Sequence, residues 1–379
     1  MKPLLKFAAI GVLLVGLPLL GAGAVPATWT EMFELPPRTA YVSHAPFSWP
    51  AFAGLTVFIL AWVTPFVIRA VRGGAGPAVR GRAGRRFPWW GWAALAAGGA
   101  GWGLSWTRFE WFAPLQRHTY LFVWLPYIVV ANALTQRRTG RCLMLDRSVF
   151  FALLFPVSSL FWWFFEYLNR FVQNWNYVEV HRSADGTVCP MPLQFTPLAY
   201  LAFATLAFST VLPAVLSTRD WLLSMGWMER FRSARSIRIQ GSRRAAWAVL
   251  ILTGAGLAGI GAWPDYLFPL LWISPLLMLL CIQELCGERH VFSSVPCGDW
   301  RPVVSAALAA LICGFFWEMW NAYSMAKWVY QVPFVSTAHV FEMPLLGYAG
   351  YLPFGLECAV LSGALGGAVV GSGRTPISA

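Results

Sequence analysis

The chain has 379 residues, of which 58% are apolar, 16% aromatic and only 12% charged, a balance that excludes a water-soluble domain hiding its apolar surface in a single core. The formal net charge of +12 would suggest nucleic acid in a soluble protein, but the arginines gather in a few short loops between apolar runs. The charge therefore describes topology, and nucleic acid is not an expected partner.

A helical span needs about 20 apolar residues to cross the hydrocarbon core of a bilayer. Ten runs come close to that length, near residues 7–25, 49–71, 88–106, 118–135, 148–168, 197–217, 245–263, 266–283, 302–323 and 347–371. The expected class is all-α: a polytopic integral membrane protein of about ten transmembrane helices. The first run follows Lys2 and Lys6 and ends in Gly21-Ala22-Gly23-Ala24, which also fits a cleaved signal peptide. Retention is the preferred reading, with Thr28–Pro50 as an outer loop. Basic residues concentrate in Arg69–Arg86, Arg137–Arg147, Arg219–Arg244 and Glu284–Arg301, and the alternate loops are nearly neutral. The positive-inside rule then puts both termini in the cytoplasm of a bacterial-type inner membrane. Many of the 22 tryptophans fall at span ends, as in an interfacial aromatic belt.

Within this frame two stretches read as copies of each other. The first runs Phe165-Glu166-Tyr167-Leu168-Asn169, then Trp175 and Tyr177, then Met191-Pro192-Leu193 and Tyr200-Leu201-Ala202-Phe203. The second runs Trp317-Glu318-Met319-Trp320-Asn321, then Trp328 and Tyr330, then Met343-Pro344-Leu345 and Tyr351-Leu352-Pro353-Phe354. In both, the glutamate precedes the methionine by 25 positions. Tyr120-Leu121-Phe122 and Pro126 likewise align with Tyr266-Leu267-Phe268 and Pro275. The expected organisation is a two-span segment with a basic loop (1–87), a four-span repeat (88–217), a basic cytoplasmic linker (218–244), and a second four-span repeat with a short tail (245–379). Units with an even number of spans share one orientation, so these would be parallel repeats.

Carboxylates are costly in lipid and mark the first place to look for function. Glu166 and Asn169, like Glu318 and Asn321, are three apart and share one helix face near a helix C-terminus, where a negative charge needs a partner, a proton or a metal. Arg170 stands four residues after Glu166 as a candidate ion-pair partner, whereas Glu318 has Ala322 there. Glu357 falls about mid-span in the last run, four residues after the helix-kinking Pro353, and its aligned position in the first copy is close to Leu206. Trp175, Tyr177, Trp328 and Tyr330 are candidate binding residues beside the acids. His339 and Glu342 are three apart beside Met343, but with no helical His-x3-His or Cys-x2-Cys pair a metal is not expected. Of the seven cysteines only Cys189 maps outside, which excludes a disulfide framework. Phosphate-binding, nicotinamide-binding, zinc-protease and serine-hydrolase motifs are all absent.

The order of a glutamate at a helix end, then Trp328-Val329-Tyr330, then a Pro-rich re-entry from Met343-Pro344-Leu345 to Glu357, resembles the repeated unit of membrane-embedded lycopene cyclases and carotenoid hydratases. It covers roughly 40 residues per copy, with Gly355-Leu356-Glu357 where those cyclases have a Pro-x-Glu-Glu pair. The resemblance implies a helical membrane protein acting on an isoprenoid chain without a redox cofactor, with Glu318 and Glu357 as acid and base. Two further readings stay open: a proton-coupled transporter or channel for a small solute, and a non-catalytic subunit or scaffold with membrane-protein partners.

Overall fold

The computed structural model describes residues 3–23, 35, 42–72, 85–178, 195–237 and 243–370. Its main helices are α1 (Pro3–Ala22), α2 (Trp49–Arg72), α3 (Trp89–Trp106), α4 (Thr119–Thr139), α5 (Ser148–Val172), α6 (Pro197–Phe208), α7 (Val211–Leu223), α8 (Arg243–Gly259), α9 (Leu270–Leu285), α10 (Arg301–Ala322) and α11 (Tyr351–Val370). Among the described residues sheet is confined to two short ribbons, β1 (Trp175–Tyr177) with β2 (Trp328–Tyr330), and β3 (His339–Val340) with β4 (Met343–Pro344). Six stretches of the described residues are long and apolar enough to cross a membrane: Trp49–Arg72, Glu110–Thr139, Ser148–Val172, Pro197–Leu223, Arg301–Ala322 and Leu345–Gly366. The other four expected runs are helical as well, and Leu270–Leu285 is a shorter apolar helix. Met191-Pro192-Leu193, Cys189 and most of the loops at 24–41 and 73–84 lie outside the described residues.

Local chemistry explains the ends of these helices. Thr196 accepts a hydrogen bond from the Ala199 N–H at 3.2 Å and Pro197 opens α6 behind it, an N-cap followed by a residue whose missing N–H costs nothing there. Gly140 closes α4 in the left-handed region (φ 80°), where a side chain would be strained. Gln173 closes α5 in the same region (φ 48°) and turns the chain into β1.

Within the expected span at 197–217 the helix is interrupted. α6 ends at Phe208 and α7 begins at Val211, and Ser158 of α5 bridges the gap: its hydroxyl donates to Phe208 O at 2.6 Å and accepts from Leu212 N at 3.0 Å. An unpaired backbone group in an apolar interior is expensive, so this serine makes the break tolerable.

Packing follows a matched scheme. α3 lies along α4 as α8 lies along α9; α5 meets α6 and α7 as α10 meets α11; α4 meets α7 as α9 meets α11. The scheme stops being even at the centre, where α10 packs extensively on α7 but α11 touches α5 only marginally. The buried core there contains Trp124, Phe165, Leu212, Cys313, Trp317 and Phe354. α1 packs on α8 so closely that a Cβ on Gly21 would overlap the Ala258 carbonyl, and the Tyr167 hydroxyl donates to Val15 O at 2.5 Å. α2 has no buried residue and touches the rest chiefly through the turns Gly226–Phe231 and Leu345–Gly350.

Candidate functional site

The two glutamates that the sequence singled out are both fully buried, each at the end of its helix and facing a short strand that follows it. After α5 and after α10 the chain turns back and the strands meet: Trp175 pairs with Tyr330, Asn176 with Val329 and Tyr177 with Trp328, antiparallel. Outside that register, Val178 N donates to Lys327 O at 2.9 Å and Gln331 N donates to Asn174 O at 2.8 Å. Exchanging the two copies maps each of these contacts onto another, the local arrangement of a two-fold axis.

The asparagines build this arrangement. Asn169 donates its amide to Trp175 O at 2.8 Å and accepts from Asn174 N at 2.8 Å. Asn321 donates to Trp328 O at 2.7 Å and accepts from Trp328 N at 3.0 Å. The sequence singled both out for sharing a helix face with the acids, but their amides are occupied by main chain, so their work is to hold the strands against the helices.

The carboxylates receive ring donors. Glu166 Oε1 accepts from Tyr177 O–H at 2.6 Å, Trp162 Nε1–H at 3.0 Å and Trp175 Nε1–H at 3.1 Å. Three aromatic donors thus hold this acid, and the charge of Arg170, the expected ion-pair partner, acts on it as well. Glu318 Oε1 accepts from Tyr351 O–H at 2.6 Å and Tyr330 O–H at 2.7 Å, and Trp328 Nε1–H donates to the Tyr330 oxygen at 2.8 Å. In both glutamates Oε2 has no partner among the described residues. Burial first, and the adjacent carboxylate second, push the strand tyrosines Tyr177 and Tyr330 well above the ordinary phenol range, so both remain proton donors at physiological pH.

Beside these groups lies a cavity of about 1230 Å³. Tyr120, Trp162, Trp175, Tyr177, Trp317, Trp328, Tyr330 and Tyr351 are on its wall, and the glutamates themselves are one layer behind it. It runs along α9 from Pro269 to Glu284, roughly 22 Å at the helical rise, with α2 forming an outer wall through residues such as Phe58, Trp62 and Phe66. Its charged or imidazole lining among the described residues is confined to Lys327 toward the strands and to Glu284 and His290 at the far end. Lys327 is bonded to Glu342 at 2.6 Å, and His290 Nε2 lies 3.3 Å from Glu284.

Glu357 is also buried, at 1% exposure, but the structure does not bring it onto this wall. Pro353 and Leu356 of α11 line the cavity, whereas neither oxygen of Glu357 has a hydrogen-bond partner among the described residues. Its carboxyl lies beside the main chain of Leu276 on α9. His339 and Glu342 are likewise apart: His339 is exposed and pairs across a ribbon with Pro344, while Glu342 is drawn to Lys327. Among the described residues no three His, Cys, Asp or Glu side chains gather as metal ligands.

Sequence reasoning missed two participants. Tyr351 served only to align the copies, yet it is the closest hydroxyl to Glu318; Trp162 stands one helical turn before Glu166, a spacing that could have flagged it. His44 was also passed over. Its Nδ1 lies 2.6 Å from Asp265 and its Nε2 3.1 Å from Gln173 O, fastening the segment before α2 to the end of α5. Compared with protein-family models, with curated proteins and with solved structures, the chain gives no match in any of the three.

Proposed function

We propose that this chain is a ten-span membrane protein built from two parallel four-helix repeats, and that it holds an isoprenoid-class lipid in its aromatic cavity and acts on it by acid/base chemistry without a redox cofactor. One observation carries this reading: a lipid-sized apolar cavity is walled by the hydroxyls and indoles that bond two buried carboxyls. A ligand roughly 22 Å long is comparable to the ~30 Å hydrocarbon thickness from which it would enter. Aromatic faces suit a cation formed on an alkene, and a dry wall keeps nucleophilic water from it. The short resemblance to lycopene cyclases and carotenoid hydratases points the same way.

The orientation of the repeats is supported by the even span count and by the two-fold relation between β1 and β2. A small polar solute fits the cavity less well, since the charged lining sits at its ends and the stretch between offers aliphatic and aromatic surface. The full-length protein should therefore retain an isoprenoid-class lipid through purification in mild detergent, identified by mass spectrometry of the extract. Ala307→Trp, which would fill the middle of the cavity, should release it. Recovery of bulk phospholipid alone from both proteins would refute the reading.

A further inference from the structure

The two carboxyl sites have the same frame but different walls. One helical turn before Glu166 stands Trp162, whose indole donates to it; the matching position before Glu318 is Gly314. A Cβ on Gly314 would overlap the ring of Tyr351. The glycine therefore opens the space in which Tyr351 lies, and from there its hydroxyl reaches Glu318. Tyr200, which matches Tyr351 in sequence, is buried beside Tyr177 with ring centroids 6.1 Å apart, and Glu166 takes its three donors from elsewhere. Glu318 is shut behind the wall, and Tyr351 is on it.

We infer that Tyr351 is the group through which Glu318 exchanges a proton with a carbon–carbon double bond of the bound lipid, and that Gly314 gives the second site this group, which the first site lacks. The inference rests on the reading above. In the forward step the Tyr351 hydroxyl turns from Glu318 Oε1 toward the alkene, and the O–H bond of a protonated Glu318 breaks as its proton joins the Tyr351 oxygen. The original Tyr351 proton passes to an alkene carbon, whose π pair forms the new C–H bond. The cation left on the adjoining carbon lies among the rings of Trp317, Trp328 and Tyr120. Loss of a proton from a neighbouring carbon, returned through Tyr351 to Glu318, leaves its electron pair as a relocated double bond. Mass is conserved and no oxidant or reductant is consumed. Protonation of Glu318 is the form in which its burial costs least, because no cation is bonded to it among the described residues.

The exchange leaves an isotopic record. Membranes from cells expressing the full chain, incubated in deuterium oxide, should incorporate deuterium into the lipid that co-purifies with it. Tyr351→Phe and Gly314→Ala should each lower the label per bound lipid at least roughly 100-fold, the lower end for loss of a proton-transfer group. The amount of bound lipid should stay within about twofold for Tyr351→Phe, because only a hydroxyl is removed; this also reports that the variant folds. If Glu318→Gln loses the label while Tyr351→Phe keeps it, the assignment to Tyr351 is wrong and the acid/base reading survives. If the bound lipid of the wild type takes up no deuterium, the acid/base reading itself fails.

Discussion

Asn169 and Asn321 show how much a buried side chain can be constrained by backbone it does not belong to. Each amide uses its donor and acceptor on the strand that follows its helix, so removing it strands polar groups where no water replaces them. Asn321→Ala should lower stability by about 1–3 kcal/mol, the cost of leaving buried partners unmade. Thermal unfolding in detergent followed by tryptophan fluorescence would read this, and an unchanged midpoint would count against the role. Glu357 makes the opposite case, a carboxyl beside the Leu276 main chain with no side-chain partner at either oxygen among the described residues. Glu357→Gln keeps its shape and should accumulate like the wild type. Glu357→Lys should accumulate poorly, since a lysine at the centre of a membrane helix costs about 2.5–3.5 kcal/mol on the insertion scale. Normal membrane yield of the lysine variant would remove Glu357 from the buried interior.

Among the elements, the helices were legible in the sequence because apolar run length is a direct consequence of bilayer thickness, and every expected run is helical. The break between α6 and α7 was not. Ser209-Thr210 is compatible with a continuous helix, and what favours the break is Ser158 on another helix, a tertiary partner that no local pattern announces. The matching position of Ser158 in the second copy is Ala310, and there α11 runs unbroken through Glu357. At the start of α10 the sequence showed only a basic loop, but charge there is organised: Arg301 bonds Asp299 at 2.8 Å and Glu229 at 2.6 Å, tying α10 to the Gly226–Phe231 turn. Burial alone would raise the Asp299 carboxyl, and its hydrogen bonds with Arg301 prevail and hold it below the ordinary value. A folded pKa below the unfolded ~3.9 means stability that is present above pH ~4 and lost as pH falls through the folded value. Asp299→Asn should flatten that acid limb of the unfolding midpoint measured against pH; parallel curves for variant and wild type would contradict the assignment.

For the whole molecule, the legible part of the site was the part that repeats. Trp175 and Tyr177, like Trp328 and Tyr330, stand two apart shortly after Glu166 and Glu318, and a duplicated strand that pairs with its own copy requires that matched Trp–Tyr spacing. The illegible part was the asymmetry, because Gly314 acquires meaning only when Tyr351 is seen to occupy the room it leaves. The same duplication constrains topology. Two glutamates joined through one antiparallel strand pair must lie at the same membrane face, so the number of spans between Glu166 and Glu318 has to be even if each carboxyl ends its helix at that face. Of the stretches between them Pro197–Leu223 and Arg301–Ala322 are long and apolar enough to cross a membrane, and the ten-span reading proposed above adds Arg243–Gly259 and Leu270–Leu285, so the number is even. On that reading the basic segments Arg137–Arg147, Arg219–Arg244 and Glu284–Arg301 would share the face opposite the carboxyls, which the positive-inside rule would assign to the cytoplasm. Reporter fusions at Gly84 and Ser233 should accordingly read cytoplasmic and one at Ala184 external. A cytoplasmic signal at Ala184 together with an external one at Ser233 would invert the molecule, and equal signals at Ala184 and Ser233 would break the even count on which the paired carboxyls depend.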